Sequence, residues 1–126
     1  RVIAVVSENA NCYRLSVEAG RPVETNSANT FADGLAVRVP HPDALDIISK
    51  GVDGFVEVSD DQVADAIRLY YRTTHNGAEG AGAAPLAGLI AQRDIMRGKR
   101  VGVILCGGNI DTAKMATVLE GRTPAP

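Results

Sequence analysis

Apolar and polar positions alternate along this chain in two different rhythms. Val2 to Val6 is an unbroken apolar run of the kind that forms a strand buried on both faces. Tyr13, Leu15, Val17 and Ala19 then follow a helical pattern that Gly20 would stop. A polar, Pro- and Gly-containing stretch, residues 21–40, reads as an irregular connection with one short ordered piece near Phe31 to Val37. Connections this long inside compact domains carry function or disorder. Ala44, Leu45, Ile47 and Ile48 place a helix over Pro42 to Lys50 with Gly51 as its cap, and Phe55, Val56 and Val58 make a short strand.

The second half continues the alternation. Ser59, with Gln62 three residues on, is a capping box opening a helix to about His75. Residues 81–96 read as a largely buried helix stopped by Gly98, with Pro85 marking its early turn. VGVILC, residues 101–106, is a third strand, and Asp111 to Leu119 a last helix. Residues 1–121 form one unit and 122–126 a frayed tail or linker. Alternating elements imply an α/β fold, a parallel sheet with helices on both faces. Three strands fall short of the usual four to six, so the expectation is a partial doubly wound sheet belonging to a larger domain.

Composition narrows the function. With 13 basic and 15 acidic residues among 126, and only three Tyr and two Phe, the chain offers no basic run and little to stack on bases. Nucleic acid is not an expected partner. No apolar stretch spans a bilayer and no signal peptide opens the sequence, which leads to the expectation of a cytoplasmic protein. Cys12 and Cys106 form no metal-like pair and are expected to be free thiols.

Candidate chemistry concentrates where the third strand ends. VGVILCGGN delivers Cys106, then Gly107, Gly108 and Asn109, to the carboxyl edge of a sheet, where open α/β folds place ligands. Read alone, Cys106 is a small buried residue, the commoner fate of a free cysteine. Glu79 precedes the small-residue run Gly80, Gly82, Ala83 and Ala84, which suits both a ligand wall and the positive end of a helix. The run itself lets the helix pack tightly on the sheet. Asp33-Gly34 is an ordinary turn pair or a close backbone approach. Asn109 either orients Cys106 or caps the next helix.

Three motifs in order, TFADGLAV (30–37), AEGAGAAPLAGL (78–89) and GVILCGGNID (102–111), give the chain a resemblance from Val2 to Leu119. It resembles the carboxyl-terminal half of the fold-type II pyridoxal-phosphate enzymes, which have a tryptophan synthase β-like fold. Within them it is most similar to the threonine/serine dehydratases and serine racemase. The resemblance implies pyridoxal phosphate as cofactor, with Cys106 against the pyridine nitrogen. Glu79 would lie near the ring, and Gly34, Gly107 and Asn109 would line it. A thiol partner leaves that nitrogen uncharged, which favours β-elimination over transamination. The resemblance also implies a cation site in SENANCY, where Ala10 would supply a carbonyl and Asn11 replaces a carboxylate. Val6 stands at the acidic position, so the charge that hard cations need is reduced.

Lysine is where the chain departs from the family. Pyridoxal phosphate chemistry needs a lysine amine for the Schiff base. Lys50, Lys99 and Lys114 are the only lysines, none is in a Ser-x-Lys context, and the phosphate-cradling glycine loop is missing. The expectation is therefore part of a threonine or serine ammonia-lyase, inactive alone and with no catalytic residue of its own. An amino-acid substrate and an amino-terminal half, second chain or homo-oligomeric partner would complete it. β-Replacement or racemisation is the alternative within the cofactor class, and a non-catalytic α/β binding module the alternative outside it. An unpaired edge strand and apolar helix faces would serve any of these partners.

Overall fold

A computed structural model describes residues 1–126. The chain runs β1 (Ile3–Ser7), α1 (Cys12–Ala19), α2 (Pro42–Gly51), β2 (Gly54–Val58), α3 (Asp60–Thr74), α4 (Gly80–Ala91), α5 (Arg93–Met96) and α6 (Thr112–Leu119). A short 3-10 turn, Asp33–Leu35, is the ordered piece inside the long connection. No helix is long and apolar enough to cross a membrane.

The sheet has two parallel strands, with Val5 opposite Val56 and Ser7 opposite Val58. Pleating sends Ile3, Val5 and Ser7 to one face and Ala4 and Val6 to the other. On the first face α4 crosses both strands, and Val5 packs against the core that α4 contributes to. On the second face Glu57 accepts hydrogen bonds from Arg14 Nε and Asn11 Nδ2 of the α1 region, at 2.6 and 2.7 Å. Helices therefore flank both faces, as a doubly wound sheet requires.

The core sits where α3 packs on α4. Val63, Ala64, Ala66 and Ile67 are fully buried, at the i, i+1, i+3 and i+4 spacing of one helical stripe. Burying a side chain the size of Ile67 contributes about 1.5–3 kcal/mol. The capping box is present: Gln62 N donates to Ser59 Oγ, and Ser59 N donates to Gln62 Oε1. At the other end His75 adopts φ +57, the left-handed conformation that stops a helix. Gly20 does the same after α1 with φ +64.

Several local expectations change. Gly51 is the last residue of α2, and Val52 is the cap. Pro85 lies within α4 beyond its first turn, where its ring leaves one carbonyl without its helical donor. The helix breaks at Gln92, so residues 81–96 make two helices, with Gly98 at φ +76 in the turn after α5. The tail is held: Thr123 Oγ1 donates to Asp61, Pro124 is buried, and Arg68 Nη1 donates to the carbonyls of Val118 and Arg122.

The largest correction is residues 101–106, which are extended but join no sheet. No backbone hydrogen bond links any of them to the rest of the chain. Strands exist by pairing, and the sequence around them provides no ladder neighbour. β1 has β2 along one edge. A cleft of about 560 Å³ is lined by Ile3 and Val5 of β1, by Pro85 and Leu89 of α4, and by Val101 to Ile104.

Candidate functional site

Beyond that unpaired stretch the chain is pinned. Glu79, the residue before α4, donates its backbone N–H to the Gly107 carbonyl at 3.1 Å. Its carboxylate Oε2 accepts from Asn109 N at 2.9 Å. One residue thus holds the turn after Cys106 from both sides. The small residues make this approach possible. A Cβ on Gly107 would stand 2.7 Å from Glu79 Cδ, and one on Gly82 would strike the Gly107 carbonyl. The Gly107 carbonyl is backbone and cannot turn away, so Gly82 requires glycine, whereas a Cβ on Gly107 would displace the Glu79 carboxylate.

The same helix end meets the TFADG segment. A Cβ on Gly34 would lie 2.8 Å from Ala81 Cβ, and one on Gly80 would lie 2.7 Å from Ala32. Further along the helix Gly88 packs on the sheet, against Val5. Gly80 and Gly82 therefore pack against two loops, while α4 also packs on both strands of the sheet. The tertiary fold brings residues 32–34, 79–82 and 107–109 together from three distant parts of the sequence.

Each candidate residue takes a definite place. Cys106 is exposed, which removes the reading of it as a small buried residue. The amides of Cys106, Gly107 and Gly108 donate to no protein acceptor. Asn109 enters through its backbone, and the cap of α6 is Asp111 instead. Gly34 has its close approach toward α4, with its amide donating to Asp33 Oδ1 at 2.9 Å. The side chain of Asn11 donates to Glu57, whose carboxylate Arg14 also holds; Ala10 is buried in the turn between β1 and α1. A guanidinium thus takes the carboxylate that Asn11 also contacts. No three His, Cys, Asp or Glu side chains converge anywhere in the chain.

The lysines stand elsewhere. Lys50 on α2 pairs with Asp46 at 2.6 Å, Lys99 follows α5 in a turn at the cleft, and Lys114 is on α6. Sequence reading missed Thr30 and Asp60, and it set Gly82 against the sheet where the structure sets it against the Gly107 carbonyl. Thr30 is buried and donates its hydroxyl to Asp60 at the start of α3, and Asp60 Oδ2 accepts from Phe31 N at 3.1 Å. The first Asp of SDDQ gave no sign of this role, because its partners lie 30 residues earlier.

An exposed thiol, a glycine turn with free amides and an adjoining carboxylate make a shallow polar edge. It can accept a flat polar ring on one side and can donate weakly from sulfur. It offers no amine and no phosphate cradle. The group it fits is the ring side of a pyridine cofactor, not the whole of one.

Comparison with known proteins gives the family. Residues 1–107 match the family of pyridoxal-phosphate dependent enzymes. The chain is 36% identical over 120 residues to an L-threonine ammonia-lyase of Thermotoga maritima, covering 95% of this chain and 30% of the relative. Phenylserine dehydratase of Ralstonia pickettii is 37% identical over 119 residues, covering 92% of this chain and 36% of the relative. The processed form of threonine deaminase isoform 2 from Solanum lycopersicum superposes with a TM-score of 0.86 at 30% identity, covering 95% of this chain and 36% of that one. Maize serine racemase superposes with a TM-score of 0.83 at 25% identity, covering 96% and 38%. The chain spans about a third of the length of these relatives.

Proposed function

We propose a function from one premise: the chain belongs to the pyridoxal-phosphate dependent enzymes. It forms the ring-side part of a hydroxy-amino-acid ammonia-lyase that converts threonine or serine to a 2-oxo acid and ammonia. The observation that carries this is the turn Cys106 to Asn109, held against Glu79 at the end of α4, in a chain more than a third identical to an ammonia-lyase and a dehydratase.

When bound, pyridoxal phosphate supplies an electron sink for the substrate's α-carbon. The residues here hold and tune it. Cys106 Sγ would stand against the ring nitrogen, where a thiol, unlike a carboxylate, does not fix a proton. Gly107 and Gly108 keep the approach free of side chains. Glu79 holds the turn at Gly107 and Asn109 and sets its carboxylate beside it. A ring left without a fixed positive charge favours loss of the β-hydroxyl over transamination. Racemisation is the second reading, favoured by the fold shared with maize serine racemase.

The lysine amine and phosphate cradle belong, in this reading, to another part of the enzyme or to a second chain. The cleft beside β1 suits that part: it is apolar, and it lies between a strand with a free edge and a segment with unpaired backbone. We place the enzyme in the cytosol, which suits two unpaired thiols.

The test uses the complete enzyme. Cys106→Ala should weaken cofactor binding and slow 2-oxo acid formation from threonine and serine, with the protein still folded. Unchanged values would remove the role of Cys106. A complete enzyme that forms no 2-oxo acid but inverts the α-carbon would favour the racemase reading.

A further inference from the structure

We infer that Asp60 is a positioning residue that sets the height of the 32–34 backbone against α4, and through it the turn at 107–109. The inference rests on the reading above for the identity of the ligand, and on geometry alone for the placement. Asp60 is the first residue of α3, where a carboxylate normally helps to cap or to balance the helix dipole. That end is already closed by Ser59 and Gln62. The carboxylate of Asp60 is left for another partner and reaches out of the helix: one oxygen accepts the Thr30 hydroxyl and the other accepts Phe31 N at 3.1 Å.

The contact continues inward. Thr30 Oγ1 accepts from Ala32 N at 3.2 Å, so hydroxyl and carboxylate together fix three successive residues. Thr30, Phe31 and Ala32 are all buried. Ala32 is the residue that Gly80 abuts, and Gly34, two residues on, abuts Ala81. Gly80 follows Glu79, and Gly82 touches the Gly107 carbonyl. A shift of the 30–34 backbone therefore moves the end of α4 that holds Cys106 and its turn. Asp60 itself makes none of the contacts around Cys106.

The experiment compares Asp60→Asn, Thr30→Val and Thr30→Ser in the complete enzyme. Two measurements are made: amide hydrogen exchange, and the dissociation constant of added pyridoxal phosphate. Asp60→Asn and Thr30→Val should speed exchange at 32–34 and 107–109 while the Ile67 amide in α3 stays protected. Both should weaken cofactor binding about tenfold, the scale of one hydrogen bond to a charged group. Thr30→Ser keeps the hydroxyl and should restore both. Unchanged exchange at 107–109 in Thr30→Val, or equal acceleration at Ile67, would make the pair a general support of the fold and overturn the inference. If Asp60→Asn does not fold, the Thr30 pair decides alone. A wild-type complete enzyme that binds no pyridoxal phosphate would defeat the proposed function, while the exchange pattern would still decide whether Asp60 sets this backbone.

Discussion

Residues 101–105 and 107–109 are neighbours in sequence and opposites in structure. The first stretch is the more apolar, yet Val101 and Ile104 are exposed and its backbone bonds to nothing in the chain. The second is almost without side chains, yet Glu79 grips it twice. Apolar character drives burial only where a partner surface exists, and a strand needs a ladder as well. Close backbone approach needs only the absence of a Cβ and one acceptor in the right place. The gripped turn is thus held by this chain alone, while the segment before it is not.

The contrast can be tested first at its firmest point. Ile67→Ala in the buried helix stripe should destabilise the complete enzyme by about 2–5 kcal/mol in urea unfolding, the range of large-to-small core changes. Gly82→Ala attacks the gripped turn. Its Cβ meets the Gly107 carbonyl, which is backbone and cannot rotate away, so a loss of about 1–3 kcal/mol is expected. Cofactor binding should weaken with it; a stable variant with normal cofactor affinity would break the link between α4 and the turn.

Ile104→Val examines the other side. Ile104 is 74% exposed in this chain, where losing one methyl should change stability by less than about 0.5 kcal/mol. If the rest of the enzyme covers the segment, the same change should cost about 0.5–1.5 kcal/mol there. Equal small effects in both would mean that nothing packs on Ile104.

The two thiols give the smallest effect. Cys106 is exposed and Cys12 fully buried, so a neutral alkylating reagent at mildly alkaline pH should label Cys106 first and Cys12 only on unfolding. Burial pushes the Cys12 thiol up from its ordinary range. A group raised in the folded state stabilises below its unfolded value, and that contribution is lost as pH rises through it. Stability should therefore fall on the alkaline side, and Cys12→Ala should flatten that limb of the urea-unfolding profile. Burial pushes Tyr70 up as well, with the same sign at higher pH.

What the sequence determined by itself was local: the capping box at Ser59, the glycine stop after Ala19, and the order of elements from period and punctuation. The three motifs that carry the family resemblance were also readable, because each is a short run of residue types. Tertiary structure decided the rest. Periodicity could not tell that VGVILC lacks a ladder neighbour, since pairing is a property of two segments. Nor could it show that Glu79 turns its carboxylate on Asn109, that Gly80 and Gly82 meet loops and not the sheet, or that Asp60 reaches back to Thr30. Those contacts join residues about 30 apart, and only the packing of α4 against its neighbours brings them within a hydrogen bond.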